Sequence, residues 1–283
     1  MTLKILAISL LLIVGYDVAD CFAQNVAKRY VYSYHSGGVY QSQGWELNGN
    51  KEGYWKYHYP TALVGEEGFY KSDKKEGTWK SFFENGKLKS VGDFENGLPK
   101  GYWKYFDENG DLIKEGSYRE GKKNGYWVIY LEGQLSSTEE FSNGQLDGYC
   151  KKYESGKPVV EGNFVKGKKE GFWKTYFSSG KVESEGNYEA GKKVDYWHFY
   201  HETGKLQSEG NYLVDKRDGW WKEYDYKSRL AYEGNYTSGV KDGYQKIYQN
   251  GVRIEEGMMQ MGKPTGSWMY YDLDGKMIEV KEY

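Results

Sequence analysis

Few side chains in this sequence have the types and spacing for chemistry. His198, His201 and Glu202 form the single grouping with the look of a metal site. On a strand, residues three apart point to opposite faces, so the two histidines cannot easily share one ion. Both also stand in repeat positions that Lys104 and Asp107 fill elsewhere. Carboxylates recur in a column, Glu67, Glu115, Glu161 and onward. Acid–base catalysis needs two carboxyls in unlike environments, whereas a repeated column offers one environment many times, each member already facing a lysine. The glycines follow hairpin geometry and open no helix, so they build no phosphate loop. The expectation is a non-enzymatic protein without cofactor or metal.

The two cysteines divide between the ends of the argument. Residues 1–23 read as a secretory signal: Lys4 as a short basic region, Ile5–Val14 as an apolar run, and Cys21-Phe22-Ala23 as a cleavage site before Gln24. The apolar run is too short to span a bilayer comfortably. No later stretch could cross one, so no integral span remains after cleavage. Lipid attachment through Cys21 is disfavoured because Asp20 stands where a lipobox carries a small residue. The chain is therefore expected to be exported, to a periplasmic, cell-surface or extracellular location. Cys150 would then be the one cysteine left, unable to form an internal disulfide. It fills a slot that is Trp in most repeats, which suits a small packed residue.

What must position any site is the repeat itself. The stretch Gly101–Tyr118 reads as strand, Asn109-Gly110 turn and return strand, and the pattern recurs about every 24 residues. Asn-Gly predicts a two-residue hairpin turn with positive φ at both positions. That register sets Glu108 against Asp111, Lys104 against Glu115, Trp103 against Gly116 and Gly101 against Tyr118. Units begin at Gly53, Gly77, Gly101, Gly125, Gly148, Gly171, Asp195, Gly219, Gly243 and Gly266. Residues 24–52 make a degenerate N-terminal capping repeat, with Val31 in the Trp slot and a start near Arg29. Residues 53–283 hold ten repeats of 23–24 residues. The last has Lys281 in its glycine slot.

Comparison among the units supports this register. A central charge slot pairs Lys56/Glu67, Lys104/Glu115, Lys151/Glu161, Lys174/Glu185, Lys222/Glu233 and Lys246/Glu256, with His198/Glu209 a near match. Beside it Trp55, Trp79, Trp103, Trp173, Trp197 and Trp221 face Gly68, Gly92, Gly116, Gly186, Gly210 and Gly234. An indole lying across a bare glycine would lock each hairpin, and each terminal Tyr or Phe would do the same on the other glycine. Three shorter units predict three-residue loops at Glu132-Gly133-Gln134, Ser155-Gly156-Lys157 and Asn250-Gly251-Val252. Between hairpins, polar glycine loops such as Glu120–Asn124 should keep successive strands adjacent.

The fold class that follows is all-β: an elongated, twisted, single-layer antiparallel meander of about ten tandem hairpins, running roughly 100 Å. The Trp face should be the better buried, on the concave side. The opposite face presents Tyr102, Tyr126, Tyr149, Phe172, Tyr196, Trp220 and Tyr244, the candidate ligand-facing aromatics. Composition agrees, with 30 Tyr, 10 Trp and 38 Gly, and an aromatic share of 18% that argues against disorder. Lys plus Arg (39) nearly balances Asp plus Glu (41), so no nucleic-acid partner is expected and no basic patch suggests phosphoinositides.

The pattern G-x-W-x-x-Y-x-x-N-G-x-L-x-x-E-G-x-Y-x-x-G-K-K resembles the MORN repeat, in the variant form common in bacterial proteins, some of which carry an antitoxin label. The resemblance implies a long, curved, open antiparallel sheet without a second layer. It also implies roles in tethering, scaffolding and self-association, with no shared catalytic residues. The function expected is an extended protein-interaction scaffold at the cell envelope. A cell-wall or polysaccharide-binding module is the alternative, since Tyr and Trp rows suit sugar faces. Aromatic clefts would favour glycan, and a flat exposed strip or bare edge strand would favour protein.

Overall fold

Every regular element of residues 28–283, the part of the chain that the computed structural model describes, is a β-strand. The expected signal sequence and Cys21 lie outside the described residues. No helix of the described residues is long and apolar enough to cross a membrane. Alternating side chains and closely spaced turn residues give 22 strands in an antiparallel hairpin meander, the all-β class expected.

The chain divides into two compact units, residues 28–86 with 94–97 and residues 87–93 with 98–283. The strands begin with β1 (Lys28–Tyr34), β2 (Tyr40–Leu47), β3 (Asn50–His58), β4 (Val64–Lys71), β5 (Lys74–Phe82) and β6 (Leu88–Glu95). They continue with β7 (Leu98–Phe106), β8 (Leu112–Arg119), β9 (Lys122–Leu131), β10 (Gln134–Ser142), β11 (Gln145–Glu154) and β12 (Lys157–Val165). Next come β13 (Lys168–Tyr176), β14 (Val182–Glu189), β15 (Lys192–Tyr200), β16 (Leu206–Leu213) and β17 (Lys216–Tyr224). The array closes with β18 (Leu230–Thr237), β19 (Val240–Gln249), β20 (Val252–Gln260), β21 (Lys263–Tyr271) and β22 (Met277–Glu282).

In the first unit β1 sets Val31 against Gly44, and β3 and β4 set Trp55 against Gly68 and Lys56 against Glu67. In the second, β7 and β8 align Gly101 with Tyr118, Trp103 with Gly116 and Lys104 with Glu115, as the sequence requires. The same register recurs in β13–β14, β15–β16 and β17–β18.

The turns differ from expectation. Asn109-Gly110 is not a two-residue turn, and Glu108 does not face Asp111. Phe106 pairs with Leu112, Ile113 is left over as a bulge, and Gly110 N–H donates to the Asp107 carbonyl at 3.0 Å. Only Gly110 in this loop has positive φ, at 91°, so Asp107–Gly110 is a type I turn followed by a left-handed glycine. The Asp107 carboxylate accepts the backbone N–H of Asn109 and Asp111, both at 2.9 Å, which favours this longer loop.

The three short units instead make two-residue turns. Leu131 pairs with Gln134, Glu154 with Lys157 and Gln249 with Val252. Both central residues are left-handed, as at Glu132 (φ 51°) and Gly133 (φ 74°), so the three-residue loops are not formed. Both loop lengths counted from the sequence were off by the same omission: a bulge beside the turn absorbs a residue. Between hairpins the polar loops shrink too. Arg119 pairs with Lys122, leaving Glu120-Gly121 as the whole turn.

The junctions between hairpins carry a second bulge, as at β4–β5, β8–β9, β12–β13 and β16–β17. From Gly116/Trp127 the register jumps to Ser117/Asn124, skipping Gly125 and Tyr126. The first-strand glycines exist for this backbone path. Gly101 has φ 63° and open space where a Cβ would stand, and Asp195 accepts φ 58° in the same slot.

Candidate functional site

The buried face is built on indoles. Trp127 and Trp221 have no exposed surface, and Trp55, Trp79, Trp103, Trp173, Trp197 and Trp268 are likewise buried. Each ring covers a glycine, though not the one expected. A Cβ on Gly116 would stand 2.3 Å from Trp127, and one on Gly92 would stand 2.1 Å from Trp103. The tryptophan therefore lies over its ladder neighbour in the preceding hairpin, and Gly116, which Trp103 faces in its own hairpin, is covered by the next tryptophan, Trp127.

The indole N–H explains the choice. Trp127 Nε1 donates to the Ser117 carbonyl at 3.0 Å, and Trp173 and Trp221 reach Asn163 and Asn211 at 3.0 and 2.9 Å. Those carbonyls sit at the junction bulge, ten residues back, where the ladder leaves them free. The terminal Tyr column does not lie on glycine either. Tyr118 stands edge-on between Trp127 at 5.1 Å and Trp103 at 5.9 Å, and Tyr212 stands likewise between Trp221 and Trp197.

A layer of cations covers these rings. Lys123 lies 4.4 Å over Trp127, Lys169 4.3 Å over Trp173, Lys193 4.3 Å over Trp197 and Arg217 4.2 Å over Trp221. In the first unit Lys75 lies 4.0 Å over Trp79. Burial pushes the Lys123, Lys169 and Lys193 ammoniums below the usual lysine range. A sheet without a second layer thus uses aliphatic stems and cation–π contacts as its lid. Sequence reasoning missed this row, although a signal existed: a basic residue stands two before the unit glycine and four before the Trp.

Two slots depart from the rule and compensate. Cys150 is buried where Trp is usual, and Glu139 replaces the glycine it faces. Burial raises its thiol pKa, which suits the packed residue expected. Gln245 fills the same slot over Gly234, hydrogen-bonded to the Tyr232 hydroxyl. His198 stands 3.7 Å from Glu209, while His201 bonds the Tyr224 carbonyl at 3.1 Å, so the two imidazoles serve separate places.

The opposite face holds the charge column and the candidate aromatics. Lys104 and Glu115 are 3.7 Å apart, Lys151 and Glu161 2.7 Å, Lys174 and Glu185 3.3 Å. Two pairs shift: Lys246 reaches Glu233 at 3.1 Å, and Glu256 is held by Arg253 at 2.9 Å. Lys246 is a ladder neighbour of both glutamates, so register alone does not choose between them. From Glu115 onward a tyrosine of the next hairpin completes the carboxylate, as Tyr200 does for Glu185 at 2.7 Å, Tyr224 for Glu209 at 2.8 Å and Tyr248 for Glu233 at 2.8 Å. Burial opposes the charge of Glu161, but hydrogen bonds from Lys151, Tyr149 and Tyr176 outweigh it and hold its carboxyl at about 2. Burial and then the Glu185 hydrogen bond push Tyr200 up to about 12. These carboxylates are structural crosslinks between hairpins.

Of the seven candidate aromatics, five stand exposed in line. Tyr102 is 52% exposed, Phe172 50% and Trp220 38%, with Tyr126 and Tyr196 between these limits. Tyr149 and Tyr244 are half-buried, the Tyr149 hydroxyl donating to Glu161 at 2.6 Å and that of Tyr244 directed to Glu256. Their ladder partners are mostly polar: Ser117 for Tyr102, Asn187 for Phe172, Asn211 for Tyr196 and Asn235 for Trp220. Successive rings are two strands, ~9.6 Å, apart. The result is an aromatic strip along one face of the second unit, interrupted at the half-buried Tyr149.

Hairpins crosslinked by ring, cation and carboxylate columns define a tandem β-hairpin repeat protein. More narrowly, four of its stretches, residues 75–96, 99–120, 169–190 and 197–213, match the family described as MORN repeat variant. No curated protein matches the chain at a significant level. Among solved structures, TcdB2-TccC3 is similar at 12% identity and a TM-score of 0.21, over 90% of this chain and 17% of that one. A Photorhabdus luminescens Tc holotoxin pore is similar at 11% identity and a TM-score of 0.18, over 90% and 17%. The chain thus spans about a sixth of the length of those chains.

Proposed function

We propose that this protein is an exported, non-enzymatic scaffold of the cell envelope that docks a protein partner on its exposed aromatic strip. The observation that carries the reading is the strip itself. Tyr102, Tyr126, Phe172, Tyr196 and Trp220 keep large apolar ring surfaces in solvent, even where a polar atom reaches a carboxylate, as the hydroxyls of Tyr102 and Tyr196 reach Glu115 and Glu209. Hydrogen bonds hold the polar atoms of this slot and leave ring faces in solvent, the surface that a partner would cover. The repeat extends this surface hairpin by hairpin, which suits an extended contact. Export rests on the apolar leader of residues 1–23. An antitoxin role, suggested by the label of some bacterial relatives, needs a cytoplasmic partner and fits an exported chain poorly.

The test is capture of envelope proteins by the intact chain and by a Tyr196→Ser/Trp220→Ser variant. The wild type should retain a defined partner, and the variant should lose it with its circular dichroism unchanged. Retention by the variant refutes the strip. Mass spectrometry of the secreted chain should find Gln24 as its first residue, and a full-length chain in the cytoplasm refutes export.

A further inference from the structure

The tryptophan face of the second unit carries a groove that the docking strip does not use. Two concavities, of about 350 and 520 Å³, meet at Phe199, His201 and Gln207, which line both. One extends to Tyr212 and Arg217, the other to Tyr188 and Lys193, the equivalent positions one hairpin earlier. Ser184 and Ser208, both buried, form the floor. In the next hairpin the same slot holds Tyr232, whose buried ring fills the space and closes the groove. Small residues at two consecutive floor positions therefore open two like lobes in a row.

The lining narrows what can enter. Strands β14 to β17 are each paired on both sides, so no free backbone edge invites a peptide to add as a strand. Polyanions are poorly served, because Arg217 is held by Glu223 at 2.5 Å and Lys193 lies against the Trp197 ring. Glu183 and Glu202 add further negative charge to the wall. A serine floor with charged and amide walls suits no lipid chain. What remains is an uncharged polyol with apolar faces: a sugar stacks on rings and exchanges hydroxyl hydrogen bonds with planar carboxylates and amides. The lobes repeat at ~9.6 Å, two strand spacings. An extended β-1,4-linked glycan repeats over a comparable distance every second sugar.

We propose that this groove binds an uncharged, linear β-1,4-linked oligosaccharide. The Phe199 and Tyr212 rings, over which Lys193 also lies at 4.9 and 5.2 Å, border the apolar sides of the sugars, and Gln207, Glu183 and Glu202 take the hydroxyls. The site lies on the face opposite the protein-docking strip and stands independently of it.

The experiment titrates the intact chain with cellohexaose and chitohexaose, using maltohexaose as the α-linked control, by calorimetry and tryptophan fluorescence. At least one β-linked hexaose should bind and maltohexaose should not. Gln207→Ala, at an exposed position, should weaken binding about tenfold or more. Phe199→Ala should abolish it, with circular dichroism checking the fold. Tyr196→Ser/Trp220→Ser on the other face should leave it unchanged. Three results overturn the proposal: no binding of either β-linked hexaose up to about 10 mM, equal binding of maltohexaose, or loss of binding in the opposite-face variant but not in Gln207→Ala. Protein capture reads the other face, so either site can fail alone.

Discussion

Replacing Gly116 by alanine tests how one hairpin is fastened to the next. The new methyl carbon would stand 2.3 Å from Trp127, where ordinary contact begins at 3.4 Å. Ring or strand must therefore give by about 1 Å, an overpacking that costs ~1–3 kcal/mol. Displacing the ring also strains the Trp127 Nε1–H bond to the Ser117 carbonyl, 3.0 Å long and worth ~1 kcal/mol. Removing a strand glycine returns ~0.5–1 kcal/mol of chain entropy. The net loss should be about 2 kcal/mol. Trp127→Ala alone should cost ~3–5 kcal/mol. In that background Gly116→Ala should instead gain ~0.5–1 kcal/mol, because the obstructing ring is gone and the entropy term remains. In a Trp103→Ala background it should still cost about 2 kcal/mol, although Gly116 faces Trp103 within its hairpin just as it faces Trp127 across the junction. Urea unfolding by circular dichroism gives the double-mutant cycle. Hydrogen exchange of the β8–β9 amides gives the local free energy should the array unfold piecewise. Coupling of Gly116 to Trp103 and not to Trp127 would refute the interlock.

The compensated slot at Gln245 makes a paired prediction. Gln245→Trp should overpack against Tyr232 and lose ~1–3 kcal/mol, and adding Tyr232→Ser, the residue type of Ser208 in that slot, should restore the midpoint in urea. Asp195 holds φ 58° where the other units have glycine, so Asp195→Gly should raise the melting temperature by a few degrees, for ~1 kcal/mol of relieved strain. Glu161 sets an acid limit. Its folded pKa of about 2 lies below the usual 4.5, so its stabilisation is complete above pH 4.5 and lost as pH falls toward 2. With partial exposure discounted this is on the order of 2 kcal/mol, and Glu161→Gln should flatten the fall of the urea midpoint across that window.

The hairpins themselves were legible because their signals are local and repeated. The Lys104/Glu115 slot changes jointly from unit to unit, and the observed ladder places both it and Trp103/Gly116 face to face. Loop lengths were read less well, since a bulge such as Ile113 leaves no mark of its own in the spacing. The aromatic strip was readable by alternation from Tyr102 to Trp220. That hydroxyls of this slot reach the carboxylate of their own hairpin, as Tyr149 reaches Glu161 and Tyr102 reaches Glu115, was not, because the contact is diagonal and ladder pairing does not reveal it.

By itself the sequence determined the all-β class, the hairpin register and which residues share a face, for these depend on period, turn chemistry and pairing within a short stretch. Only the tertiary structure decided which glycine each indole covers, which glutamate Lys246 serves and that lysine stems roof the tryptophans. Those choices lie between strands that each meet two neighbours. A residue in such a strand has a partner on either side, and the carbonyl freed at the junction bulge, which no spacing reveals, draws the indole to one of them.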